Sequence, residues 1–394
     1  MKIILFLSLL IWVIPGFGKV KIQKPRSQHV TAFAIIVDEM TLEKTGGAVE
    51  AYRDALEADG LSTYIVSGNW KNPDEVKAEI IKLNKRKPVL EGVVFIGDIP
   101  VALIRNAQHM TTAFKMNEDE FPFPESSVPS DRFYDDLHLT FDFICQDSVN
   151  TSHFYYKLRE DSPQQLRPTF YSGRIKYPEA RGGDKYEAIA KYLAKAVREK
   201  KRANLLDCFV SFTGSGYNSQ CLLAWMDERL ALTENFPLAW KNSRTAKFLN
   251  SRMEDYMKYR LFDELQRDEM DVMLFHEHGA PDRQYICDGP APAGLQGYMN
   301  YIKSSIYSFV KREIERKKGT PEEIMAYFTK EYALGPDFFK DFSMEKIAEQ
   351  NSLERLKTGI VLEDLKELKT NPRFVMFDAC YNGSFHEDGY IAGY

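Results

Sequence analysis

Three apolar runs rich in β-formers, His29–Val37, Ser62–Val66 and Val89–Gly97, are separated by two stretches with helical periodicity. The first helix is expected over Thr41–Ala58, ended by Asp59-Gly60. The second starts at Asn72-Pro73-Asp74-Glu75, which supplies an N-cap, a proline at the first helical position and an acid at N3. It carries Val76, Ile80 and Leu83 on one face and must stop before Pro88. Strands that alternate in this way with amphipathic helices specify a parallel sheet, so the fold class is α/β.

The pattern returns further along. After an irregular stretch with the loop Phe121–Ser130, a strand is expected at Thr169–Ile175 and a helix capped by Asp184. A second α/β unit then opens with the strand Leu205–Phe212, a Gly214-Ser-Gly216 turn and a helix through Leu222–Leu232. That turn lacks the lysine of a phosphate loop. A helix over Met253–Arg267 leads to the run Asp271–Phe275, and a last apolar run, Phe374–Phe377, comes near the end. Between these runs a long helical piece is expected. Its first helix places Leu295, Tyr298, Met299, Ile302, Ile306, Phe309 and Val310 on one stripe. A second opens with the capping box Thr320-Pro-Glu-Glu323, and a third covers Met344–Leu368. With 394 residues, the expected organisation is a leader at 1–18, an N-terminal α/β subdomain at 19–203 and a catalytic subdomain at 204–394.

The leader follows from Lys2, the apolar run Ile3–Ile14 and small residues at Gly16 and Gly18, the pattern of a secretory signal. It is too short for a good membrane span, and no later stretch is apolar enough to provide one. The expectation is therefore a secreted protein without a membrane span. A net charge of −5 gives no basis for nucleic-acid binding. Five cysteines are too few for a disulfide scaffold, and the odd number leaves at least one thiol without an intrachain partner. Cys380 is the candidate, the other four reading as small buried residues.

Chemistry gathers where the last two apolar runs stop. One ends in His276-Glu-His278-Gly279 and the other in Asp378-Ala-Cys380-Tyr-Asn-Gly383. Ligands of α/β proteins bind outside the carboxyl ends of the strands, so a histidine and a cysteine there point to a cysteine hydrolase. Cys380 is the expected nucleophile on a scissile carbonyl, and His278 the group that protonates the leaving amine. The amides of Gly279 and Cys380 would hold the oxyanion. Asp378 lies two residues before the nucleophile, facing the same side of an extended strand, where it would meet a cationic substrate side chain or pair locally. No cofactor and no metal are expected. A zinc shell from His276 and His278 with Asp282 or Cys287 lacks convincing spacing, and Asp131 with Asp135-Asp136 reads as a solvated acidic turn rather than a calcium site. Asp131 and Glu277 are candidates for a third residue orienting His278.

Five blocks, Phe95-Ile-Gly-Asp-Ile-Pro100, Ser130-Asp-Arg-Phe-Tyr134, Tyr171-Ser-Gly-Arg-Ile175, Phe275–Gly279 and Phe377–Phe385, resemble the gingipain family of secreted cysteine peptidases. That family belongs to the caspase-like group with clostripain, legumain and the metacaspases. The resemblance spans about residues 90–385. It implies a caspase-like fold of two α/β subdomains, protein or peptide substrates, His278 and Cys380 as the catalytic pair, and His276 as a neighbour. The Asp-Ala-Cys form is similar to clostripain and metacaspases, where the aspartate helps line a pocket for Arg or Lys, although gingipains place theirs differently. Two departures from the pattern stand out. The helical insertion at about 290–370 is long, and is expected to be a lid, an inhibitory plug or a docking arm. The chain also stops 14 residues after the nucleophile, so either a fragment or an incomplete, poorly active sheet is expected. A catalytically silent binding protein on the same scaffold is the rival expectation.

Overall fold

The computed structural model describes residues 20–111, 114–214, 220–235, 237, 241 and 245–394, with the backbone alone for 220 and 222–228. The expected leader lies outside the described residues, as does part of the Gly214–Gly216 turn. The chain divides into two units: one ends at Arg202 and the other begins at Ala203, with Pro178–Gly182 belonging to the second.

In the first unit, β1 (Lys21–Gln23), β2 (Thr31–Asp38), β3 (Leu61–Gly68), β4 (Val89–Ile96), β5 (Val101–Arg105), β6 (Val128–Pro129), β7 (Phe141–Gln146), β8 (His153–Leu158) and β9 (Tyr171–Ile175) form two sheets. One has the order β1-β3-β2-β4-β9, parallel except for β1; the other runs β6-β5-β8-β7. Both faces of the first sheet are covered, so Ile35, Ile36, Ile65, Phe95 and Ile96 are fully buried. The first helix runs over Glu39–Ala58, starting two residues earlier than expected because Asp38 caps it, accepting from the Thr41 amide at 2.8 Å.

The acidic turn differs from expectation. Asp135 and Asp136 are fully buried, not solvated. Asp135 accepts from Ser172 at 2.5 Å and pairs with Arg132, while Asp136 accepts from the Arg167 amide at 2.6 Å. Burial lifts the Asp135 carboxyl to about 6, against the pull of Ser172 and Arg132. Both oxygens of Asp131 are held by Arg174, at 2.7 and 3.0 Å, so this residue braces the first unit.

The second unit is built on β10 (Cys208–Thr213), β11 (Thr245–Asn250), β12 (Val272–His276), β13 (Gly279–Ala280), β14 (Arg283–Tyr285), β15 (Gly359–Val361) and β16 (Phe374–Asp378). Its main sheet has the order β11-β10-β12-β16 and is parallel throughout. Helices Gln220–Asn235 and Met257–Leu265 make the crossovers into β11 and β12, the latter shorter than expected. One face packs Val210, Phe212, Met273, Phe275 and the partly buried Val375 and Phe377 against Met257, Leu261 and Leu265. Leu205 and Leu206 stay outside β10 as exposed residues, and Leu206 has φ 51°.

The insertion is not helical throughout. Helices Gly294–Glu315, Pro321–Glu331 and Met344–Thr358 give way to β15 before a last helix, Leu362–Glu367. The break comes at Gly359-Ile-Val361, where β15 pairs antiparallel with β14. Glycine is required there, since a Cβ on 359 would stand 2.5 Å from Arg283 Nε and 2.7 Å from the Gln284 carbonyl. The expected stripe on Gly294–Glu315 is mostly uncovered. Ile306 and Val310 are buried with Ile324 in a small core that Phe338, Phe339 and Phe342 flank, but Leu295, Tyr298, Met299, Ile302 and Phe309 are exposed. No helix of the described residues is long and apolar enough to cross a membrane.

Candidate active site

From β10 the chain goes out to β11 on one side and returns to β12 on the other, so the strand order reverses between β10 and β12. Crevices form at such points, outside the carboxyl ends of the strands. The polar residues that end β12 and β16 sit at that edge. The β12–β16 ladder runs in constant register from Val272↔Phe374 to His276↔Asp378, an offset of 378 − 276 = 102. His278 and Cys380 have the same offset, so they stand at equivalent positions two residues past the last rung. Residues two apart on a strand share a face. Phe374, Met376 and Asp378 are exposed on one face of β16, and Cys380 beyond them is exposed too.

The loops past the two strands are locked together by backbone contacts. A Cβ on residue 279 would collide with the Cys380 carbonyl oxygen and come within 2.7 Å of Asn382 Nδ2, so only glycine fits. Asn382 is fully buried, and its Nδ2 donates to the carbonyls of Ala280 at 2.7 Å and Arg283 at 3.1 Å. Tyr381, between Cys380 and Asn382, has φ 60°, a left-handed conformation seldom adopted by an aromatic residue. Such backbone strain persists only where the surroundings impose it. The Tyr285 amide donates to the His278 carbonyl at 3.0 Å across the β13–β14 hairpin. Gly279 pairs with Gln284 and is therefore at the non-hydrogen-bonded position of that ladder, which leaves its N–H out of the pairing.

His276 and Asp378 face each other on the last rung, with Nδ1 2.7 Å from Oδ2. Glu277, between the two histidines, is buried; its Oε1 accepts from Gln284 Nε2 at 2.6 Å, and its Cβ crowds Gly214 at the end of β10. Burial holds its carboxyl well above the usual carboxylate range, with only partial opposition from Gln284 and the nearby His276. This residue supports the turn from beneath, and the bond seen for its carboxyl is to Gln284.

The zinc alternative gains no ligands. The Asp282 carboxylate pairs with Arg355, and the buried Cys287 directs its sulfur at the carbonyls of Asp255, at 3.6 Å, and Thr358, at 3.9 Å. Among the described residues no group of three metal-ligating side chains comes together. No disulfide forms among the five cysteines. Cys208, Cys221 and Cys287 are buried as expected, whereas Cys145 is half-exposed. In the first unit, a polar groove of about 770 Å³ is lined by Arg105, His109, Glu118, Lys157, Arg159 and Glu160 among others, with no cysteine.

Sequence reasoning singled out His278, Gly279, Asp378 and Cys380, and the fold brings their strand ends side by side. It missed the lock made by Asn382, although Asn382-Gly383, two residues past the cysteine, was a visible signal. It also missed the His276–Asp378 rung, which the shared offset of 102 would have exposed. Compared with family models, proteins of curated function and solved structures, the chain matches none.

Proposed function

We propose that the chain is a cysteine endopeptidase on a caspase-like scaffold, with Cys380 as nucleophile and His278 as its acid–base partner. One observation carries this reading: the equivalent placement of the two residues past adjacent parallel strands, with Gly279 packed on the Cys380 carbonyl. In the reaction, the Cys380 thiol passes its proton to His278 and the sulfur attacks the scissile carbonyl. The N–H groups of Gly279 and Cys380 receive the oxyanion. Collapse expels the amine, which takes the proton from His278, and water then hydrolyses the thioester. Asp378, on the same face as the nucleophile, suits a substrate with Arg or Lys at the cleaved position. Export to an extracellular, periplasmic or surface location is part of the same proposal and rests on residues 1–18.

The test is labelling with a peptidyl-arginine acyloxymethyl ketone. Cys380 should be alkylated, and peptide hydrolysis should vanish in Cys380→Ala. No modification of Cys380, together with hydrolysis unchanged in that variant, would overturn the proposal.

A second reading draws on the exposed Leu295, Tyr298, Met299 and Ile302 of the helical arm. An apolar stripe of this kind suits a protein partner, or self-inhibition, on a scaffold whose chemistry is silent. Normal partner binding by Cys380→Ala, with no turnover in the parent, would favour it.

A further inference from the structure

Asp378 already has a hydrogen-bonding partner within the chain, His276. A carboxylate can only accept, so the 2.7 Å contact makes His276 Nδ1 the donor and Asp378 Oδ2 the acceptor. The contact is built into the sheet, since the two residues form the last rung of the β12–β16 ladder, one step below the level of His278 and Cys380. Both side chains keep access to solvent, with 25% of His276 and 59% of Asp378 exposed. The pair therefore stays reachable from the side where substrate would arrive, and no buried packing holds it shut.

We propose that His276 is a specificity-setting residue: it occupies Asp378 in the resting protein, and a substrate guanidinium or ammonium must displace it. This inference rests on the peptidase reading and adds an internal competitor to it. An Arg or Lys side chain offers Asp378 a full positive charge and, for Arg, two parallel donors, so it outcompetes a single imidazole N–H. A neutral side chain such as citrulline or norleucine has no such advantage and leaves the His276–Asp378 bond intact. The rung thus filters weak ligands from the pocket and reduces affinity for cationic ones by the strength of the bond that must be broken. An exposed, charge-assisted bond of this kind corresponds to about a five-fold change in affinity. Asp378 faces His276 across the ladder, and the adjoining Glu277 is the titratable group that senses it from its own loop. Within the described part of β10 the residue opposite is Thr213, which does not titrate.

The experiment measures binding in the absence of turnover. Cys380→Ala protein is titrated calorimetrically with a peptide amide ending in Arg and with its citrulline counterpart, alone and combined with His276→Ala or His276→Asn. Asparagine keeps a donor near the position of Nδ1, so it should behave like the parent. The expected result is an Arg peptide bound about five-fold more tightly by His276→Ala, with the citrulline peptide unchanged. Arg affinity that is unchanged or weaker in His276→Ala would overturn the proposal, as would equal binding of both peptides by the parent. Alkylation of Cys380 in the wild-type protein is scored separately. Its loss counts against the peptidase reading, whereas its persistence with failed peptide discrimination counts against the competitor alone.

Discussion

The α-carbon of Gly279 lies against the carbonyl oxygen of Cys380, closely enough that no side chain fits at position 279. This contact fixes the distance between the loop that follows β12 and the turn that follows β16. Gly279→Ala must push the two apart. If the proposed peptidase activity holds, the expected outcome is a fall in kcat/KM of about a hundred-fold or more, because a displacement near 1 Å at reacting atoms costs that much. The stability loss should be only about 1–3 kcal/mol. Peptide hydrolysis and urea unfolding of the same preparation check both.

Asn382 acts on the same contact from the other side. Asn382→Ala removes a fully buried donor that ties the turn after β16 to the carbonyls of Ala280 and Arg283. Each hydrogen bond lost costs about 0.5–1.5 kcal/mol, so the variant should lose roughly 1–3 kcal/mol of stability in urea unfolding. Asn382→Asp should do no better, since a carboxylate has no donor for either carbonyl.

Glu277 gives the stability a pH dependence of definite sign. Its carboxyl in the fold titrates well above the reference value of 4.5. The folded chain thus keeps a proton that the unfolded chain releases near that reference. The contribution is complete at pH below 4.5 and falls as pH climbs towards and through the folded value, at about 1.4 kcal/mol per pH unit. Glu277→Gln keeps the shape and removes the titration. Thermal melts should find it no more stable than the parent at pH 4 and more stable at pH 8.

The helical arm should respond to mutation by position rather than by hydrophobicity. Ile324→Ala opens the small core shared with Ile306 and Val310 and should cost about 2–4 kcal/mol. Leu295→Ser, at a site 79% exposed, should stay within about 0.5 kcal/mol. Hydrogen exchange of Gly294–Glu331 should rise in the first variant and stay unchanged in the second.

The sequence made the α/β alternation legible because strand runs such as Ala32–Val37 and caps such as Asn72 are local signals. The strand-end residues were legible for the same reason. Non-local facts were not. Asp135 and Asp136 look like a wet turn in sequence, and the residues that pay for their burial, Ser172 and Arg167, are 37 and 31 positions away. Gly359-Ile-Val361 reads as part of the helix expected over Met344–Leu368, and only the pairing with β14 makes it a strand. The stripe on Gly294–Glu315 marks an apolar face, but periodicity alone does not say how far along its length a partner reaches.

Among the described strands, β16 is bordered on one side only, by β12. A single ladder of five rungs therefore sets the register of the strand that leads to Cys380. If that ladder slipped by one residue, Val375 and Phe377 would swing out to water while Asp378 turned into the apolar layer beneath, and Cys380 would follow it to the wrong side. The ring of Phe377, stacked on Phe275 at 5.6 Å, opposes such a slip. The register of the strand that leads to Cys380 is thus guarded by the paired rings of Phe377 and Phe275.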